Sequence, residues 1–258
     1  MKQVAPSISN GPSSHCLIND QERLDDLIID GLQLYQRTDM FRFSFDAIAL
    51  IHFCRFNGRH TYVDLGTGTG VMPLIGTSLG AGHITGIDIN KTIIELAQRS
   101  VEYNHKQDVV MMLCGDYRHM SYRDVQDKPF DGVIVNPTFY DCESGGKPVS
   151  EERALALHDG HTTLEEVLNA VQSFIKCKGR LWMIYSASRL QYVLHELEIA
   201  NFQAKRIRFI HGMIDKPAKL VLIEALYQGQ AGLVLEPPLI VYEKPNVYTK
   251  EVSSWYER

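Results

Sequence analysis

The string VDLGTGTG, residues 63–70, decides how this chain is read. An apolar strand, TYV, runs through Asp64 and Leu65 into three alternating glycines, Gly66, Gly68 and Gly70, and then into the helical pattern of VMPLIGTSLG. Glycines at a strand-to-helix turn permit a tight reversal and let a ligand approach main-chain atoms. The spacing is G-x-G-x-G and not the G-x-G-x-x-G of a dinucleotide cradle, and a carboxylate stands inside the motif. Asp64 would repel a pyrophosphate and attract an ammonium or a sulfonium.

Outward from this turn, strands and helices alternate between Thr61 and Gln228. TYVDLG, HITGIDI, VVMMLCGD, FDGVIVNP, GRLWMIYSA, AKRIRFI and KLVLIEALY read as strands. NKTIIELAQRSVEYN reads as a helix capped by Asn90, and TTLEEVLNAVQSFIK as one with a capping box. Near-continuous apolar strands alternating with helices predict an α/β fold with a mostly parallel seven-stranded sheet, helices on both faces. The expected organisation is a disordered tail over 1–16, a helical and loop segment over 17–57 and a single domain over 58–230. An extended, proline-bearing strap follows over 231–258.

With 258 residues, 45% hydrophobic and 22% charged, the composition is that of an ordinary globular protein. No apolar run reaches the roughly 18 residues of a membrane span. Five scattered cysteines without a C-x-x-C pair argue against a disulfide framework or a metal site, and fit a reducing cytoplasm. The net charge of −5 does not mark a nucleic-acid binder, so any basic surface must be local.

Two further acids end successive strands: Asp88 in GIDIN, with Ile89 after it, and Asp116 in CGDY, with Tyr117 after it. A carboxylate at the first position suits two ribose hydroxyls, and one at the second suits an adenine amino group. Three acids along one sheet edge outline a nucleoside pocket that fits S-adenosylmethionine better than NAD. Here the chain resembles the Rossmann-like class I methyltransferases: Asp64, Gly66, Gly68 and Gly70 look like their first motif, Asp88 like the ribose-binding acid and Asp116 like the adenine-contacting one.

The fourth strand ends in NPTF, residues 136–139. This is similar to the N-P-P-[YF] signature of methyltransferases that act on planar amino groups, adenine N6 or the glutamine amide. The nitrogen of such a group has a delocalised lone pair and attacks poorly. The Asn136 side-chain oxygen and the Pro137 carbonyl offer two acceptors for its N–H bonds, which stabilise the positive charge that develops during transfer. Phe139 offers a stacking face. Thr138 replaces the second proline of the signature, which loosens the backbone without removing either acceptor.

The resemblance narrows to the bacterial enzymes that methylate adenine N6 beside the anticodon of valine tRNA, and it runs from about residue 20 to 253. RFSFDAIALIHF looks like their entry segment, which implies that Ser44 and Asp46 border the cofactor. Part of their R-x-A-R-H-E segment is kept as Arg153, Ala154 and His158, and PPLIVYEKPNVYTKEV resembles their ending. The resemblance implies S-adenosylmethionine as cofactor and tRNA as substrate, with Phe139, Tyr140, Arg153 and His158 on the substrate side and neither metal nor membrane involved. Local positive charge is expected from KCKGR (Lys176, Lys178, Arg180), KRIR (Lys205, Arg206, Arg208), Arg37, Arg42 and Arg153. Two alternatives stay open: a protein-glutamine methyltransferase, and a fold that binds cofactor and RNA without transfer because of Thr138.

Overall fold

The computed structural model describes residues 21–39, 44–137 and 162–256. Five parallel strands carry the centre: β3 (Thr61–Leu65), β4 (His83–Asp88), β5 (Val110–Cys114), β6 (Phe130–Val135) and β7 (Ile175–Ser186). β8 (Phe202–His211) and β9 (Ala218–Tyr227) form a hairpin, with β9 antiparallel to β7. The order β8-β9-β7-β6-β3-β4-β5 matches the seven predicted runs. Two-residue strands β10 (Val234–Leu235) and β11 (Leu239–Ile240) add to β8 and make nine.

Helices cover both faces, which is why consecutive residues such as Val133 and Ile134 are both fully buried. α1 (Phe45–Phe53), α2 (Val71–Ser78) and α3 (Lys91–Tyr103) pack with Tyr62, Ile84, Ile134 and Trp182 on one face. α4 (Leu164–Phe174) and α5 (Leu190–Ile199) pack with Val63, Leu65, Val133 and Val135 on the other. Each such large apolar side chain contributes about 1.5–3 kcal/mol on burial. The Asn90 cap of α3 and the Thr163–Glu166 capping box of α4 form as read. None of the described helices is long and apolar enough to cross a membrane.

The lead-in differs from the expected helix. Residues Glu22–Asp26 (β1) and Gln33–Arg37 (β2) form an antiparallel hairpin instead. Asp30-Gly31 is the reason: both take positive φ, 48° and 66°, the geometry of a hairpin turn and not of a helix interior. The hairpin lies on α3, where Ser100 Oγ accepts the Tyr35 N–H at 2.9 Å and Asn104 Oδ1 accepts the Gln33 N–H at 2.9 Å. The C-terminal segment is more than a surface strap. After β10 and β11 it turns back as a second hairpin, β12 (Tyr242–Lys244) and β13 (Val247–Tyr248), and ends in the short α6 (Lys250–Ser253).

The chain runs from β3 outward to β4 and β5, then returns to place β6 on the other side of β3. Connections leave β3 and β6 in opposite directions, so a crevice opens at their carboxyl ends, the general ligand site of open α/β sheets.

Candidate active site

The glycine turn, the Asp88 and Asp116 segments and Asn136-Pro137 are each a loop held by the strand before it. At the end of β3 the turn folds back on β4: Gly66 and Thr67 N–H groups both donate to the Ile87 carbonyl, at 2.8 and 3.0 Å. Gly68 and Gly70 take positive φ, 55° and 79°, and Gly70 starts α2. A Cβ on Gly70 would strike the Met112 side chain at 2.5 Å, whereas one on Gly68 would meet nothing within 4 Å among the described residues. Gly70 is thus favoured by its positive φ and by the close Ala97 Cβ at 3.2 Å, with the mobile Met112 methyl able to yield, whereas Gly68 has open space among the described residues.

Asp64 is fully buried, with its Oδ2 accepting the Thr67 hydroxyl at 2.7 Å and its Oδ1 without a partner among the described residues. Burial pushes its pKa up to about 7, against the pull of the Thr67 hydroxyl, and nearby Asp88 adds to the rise. Asp88 accepts the Gly68 N–H on one carboxylate oxygen and the Asn90 N–H on the other, both at 2.9 Å. Each oxygen keeps one lone pair for a further donor. Ile89, beside it, is 42% exposed.

Asp116 begins a 3-10 turn, Tyr117–His119, and accepts the Arg118 N–H at 3.0 Å. The Arg118 guanidinium also grips it at 2.7 to 3.1 Å, and these hydrogen bonds hold its pKa below the usual carboxylate range. Tyr117 lies 3.9 Å from where a Cβ of Gly66 would be, so it borders the glycine turn; burial raises its hydroxyl pKa.

Asn136 and Pro137 follow β6, whose register pairs Leu65 with Val135. Gly66 and Asn136 therefore leave adjacent strands at the same level, about 4.8 Å apart in the pairing direction. Both Asn136 and Pro137 are half-buried. Ser44 and Asp46 sit at the start of α1, which packs on α2, the helix launched by the glycine turn. Burial raises the pKa of Asp46, partly offset by a hydrogen bond with Ser44. Thr138, Phe139, Tyr140, Arg153 and His158 lie outside the described residues.

The methyltransferase-domain family matches residues 57–225. The chain belongs to that family. Its fold is the Rossmann-like class I methyltransferase fold, and its cofactor is S-adenosylmethionine. Among curated proteins it is similar to the tRNA1(Val) (adenine(37)-N6)-methyltransferase of Trichodesmium erythraeum, 27% identical over 201 residues, covering 76% of this chain and 80% of that one. The protein of the same name from Shewanella sp. (strain W3-18-1) is 23% identical over 194 residues, covering 75% and 80%. Among solved structures it resembles a protein described as a predicted O-methyltransferase from Agrobacterium tumefaciens, with TM-score 0.64, 19% identity and coverage of 82% and 95%. TYW2 of P. horikoshii is similar at TM-score 0.56 and 10% identity, covering 82% of this chain and 73% of that one.

The residues present fit that cofactor. An unpartnered buried carboxylate oxygen on Asp64 suits a cationic group, the space over Gly68 admits a ligand against the backbone, and Asp88 has acceptor capacity left for ribose hydroxyls. Asp116 fits on one condition: its oxygens are filled by Arg118, so an adenine amino group must displace part of that grip. Sequence reading overlooked Thr67, whose hydroxyl orients Asp64, and Arg118; a hydroxyl between two glycines and an arginine two residues past an acid were the available signals.

Most of the described cations expected to form an RNA surface are instead held in ion pairs, Lys178 and Lys205 excepted. Lys176 pairs with Asp131 and Arg180 with Glu224. Arg206 is buried between Glu224 and Glu236, at 2.7 Å from each, while Arg37 is held by Asp39 and Arg208 by Glu251. KCKGR moreover opens β7, at the amino edge of the sheet, away from Asn136. Arg42 and Arg153 lie outside the described residues.

Proposed function

We propose that the chain methylates the exocyclic N6 amino group of an adenine in tRNA, beside the anticodon of a valine tRNA, in the cytoplasm. The observation that carries this reading is the register of β3 with β6, which sets Asn136 and Pro137 level with the glycine turn. The names of the curated relatives supply the substrate class.

Bound S-adenosylmethionine supplies an electrophilic methyl group on a sulfonium. The chain's own part is to hold the cofactor and present the amino nitrogen. Asp64 meets the cationic end, Asp88 the ribose and Asp116 the adenine, with Ile89 and Tyr117 as apolar walls and Ser44 and Asp46 on the rim. Asn136 Oδ1 and the Pro137 carbonyl accept the two N–H bonds of the target amine. As the nitrogen gains a bond, its N–H bonds become more acidic and both hydrogen bonds strengthen, so the pair stabilises the transition state more than the bound substrate. Phe139 stacks on the target base, and Tyr140, Arg153 and His158 contact the RNA around it.

Incubation with labelled cofactor and bulk tRNA, followed by mass spectrometry of the nucleosides, tests this. N6-methyladenosine in valine tRNA is the expected product. Label appearing in a release factor, or cofactor binding with no transfer to any tRNA, overturns it in favour of a glutamine methyltransferase or a non-transferring fold.

A further inference from the structure

Most of the described cations in the predicted basic strings are held in ion pairs, and KCKGR lies at the amino edge, so an RNA strand entering at Asn136 meets other residues first. Strand register traces a continuous surface from the active site. β7 lies beside β6, Ser186 at its end pairs with Leu220, Ala218 pairs with His211, and the carbonyls of His211 and Gly212 accept the N–H groups of Val241 and Tyr242. The segments that cap these ends, 187–192, 211–219 and 242–250, are therefore neighbours along one carboxyl edge. Four strand spacings of about 4.8 Å, roughly 19 Å, separate the line of Asn136 from its far side beyond β11.

Its composition is unlike the rest of the chain. The three segments carry five cations, Arg189, Lys216, Lys219, Lys244 and Lys250, against two acids, Asp215 and Glu243, in a chain of net charge −5. Among the described residues no carboxylate pairs with Arg189, whose guanidinium lies 4.8 Å over the Tyr192 ring. Lys216 meets Asp215 only as an exposed pair, which binds it weakly. The β8–β9 turn leaves Ile214 77% exposed beside these cations.

Next to that turn stands a column of aromatic rings. Tyr242 stacks on Tyr248 at 5.1 Å, Tyr248 on Tyr256 at 5.9 Å and on Phe45 at 6.4 Å. Phe45 stacks on Trp255 at 6.0 Å, and Trp255 on His52 at 4.5 Å. Trp255 anchors the column in the core, and Tyr248 leaves it 38% exposed. A ring fixed by its neighbours loses little freedom when a flat partner stacks on it.

We propose that this edge takes the RNA strand flanking the methylated adenine, with Tyr248 and Ile214 as base contacts and the five cations on phosphates. The inference rests on the tRNA reading above. Cations concentrated beside exposed aromatic and apolar groups match single-stranded nucleic acid, whose phosphates and base faces alternate.

Binding of bulk tRNA to the full chain between about 50 and 200 mM salt tests it, with calorimetry of cofactor binding as the check on folding. Lys216→Glu with Lys219→Glu should weaken tRNA binding about tenfold and lower the salt slope by about two. Ile214→Ser should weaken it about fivefold with the slope unchanged. Lys178→Glu, at the amino edge, should change nothing, and all variants should keep cofactor affinity. Wild-type protein that methylates tRNA, with the edge variants binding at full strength, overturns this surface alone. Wild type that neither binds nor methylates tRNA overturns the parent reading, and the surface with it. Loss of binding to vesicles containing anionic lipid in the same variants, with tRNA binding intact, reassigns the edge to a membrane.

Discussion

The Thr67 hydroxyl donates to Asp64 Oδ2 at 2.7 Å, and the other oxygen of that buried carboxylate has no partner among the described residues. One hydrogen bond does not offset the loss of water around a charge, so the acid keeps its proton well above the usual carboxylate range, up to about pH 7.

The consequence for stability has a definite sign. Asp64 ionises near 3.8 in the unfolded chain and near 7 in the folded one. Between those values the folded state binds a proton that the unfolded state lacks, so stability falls as pH rises through the window and levels off above it. At 1.36 kcal/mol per unit the loss reaches about 4 kcal/mol at most. Asp64→Asn removes this dependence. It should melt higher than wild type at pH 8, approach wild type below about pH 4, and bind cofactor more weakly throughout. Equal melting curves across that range would refute the assignment.

Arg118 gives a prediction of opposite character. Its guanidinium and N–H fill both oxygens of Asp116. A ligand amino group must compete with them, and a charge-assisted hydrogen bond is worth about 1.5–3 kcal/mol. Arg118→Ala should therefore tighten binding of adenosine-containing ligands severalfold by calorimetry, while a ligand lacking the adenine amino group gains nothing. Weaker binding of both would mean that Arg118 orients the carboxylate instead of occupying it.

How far the sequence could be read depended on the range of the interactions. The parallel sheet was legible because apolar runs such as FDGVIV and the glycine turn are local patterns. The lead-in was misread because LDDLII and LQLY together imitate a helical period, while the decisive signal was the Asp30-Gly31 pair between them. The basic strings misled for a different reason. Their partners, Asp131 and Glu224, lie on neighbouring strands about 45 residues away, and no local pattern reports such a pairing. The ring column joins residue 45 to 242, 248 and 255, and was equally hidden.

The two glycines of the turn should separate folding from binding. Alanine at Gly70 meets positive φ and the Met112 side chain at 2.5 Å, a combination expected to cost about 2–4 kcal/mol in urea unfolding. Alanine at Gly68 meets only the φ penalty, about 1 kcal/mol, but places a methyl in the open space over the turn. Gly68→Ala should fold and lose cofactor affinity at least tenfold; Gly70→Ala should fail in stability first. The reverse pattern would show that the cofactor lies elsewhere.

Asn136 carries the proposed chemistry, and its replacement separates catalysis from binding. It stands level with Gly66 across the β3–β6 pair but belongs to a different loop, so truncating it leaves the Asp64, Asp88 and Asp116 contacts intact. Asn136→Ala removes one of the two acceptors that strengthen as the nitrogen gains charge. By analogy with the loss of a single preorganised hydrogen-bonding group, kcat should fall by about 10² to 10³. Cofactor Kd by calorimetry should stay within about twofold, since the cofactor contacts do not include the side chain, and tRNA affinity should fall only severalfold, the loss of one ground-state hydrogen bond worth about 0.5–1.5 kcal/mol. Thr138→Pro, which restores the usual signature, should keep or raise kcat because both acceptors remain and the preceding backbone is restricted to extended angles. If Asn136→Ala lowers cofactor affinity as much as kcat, the side chain is part of the cofactor wall, and the target amine must find its acceptors elsewhere.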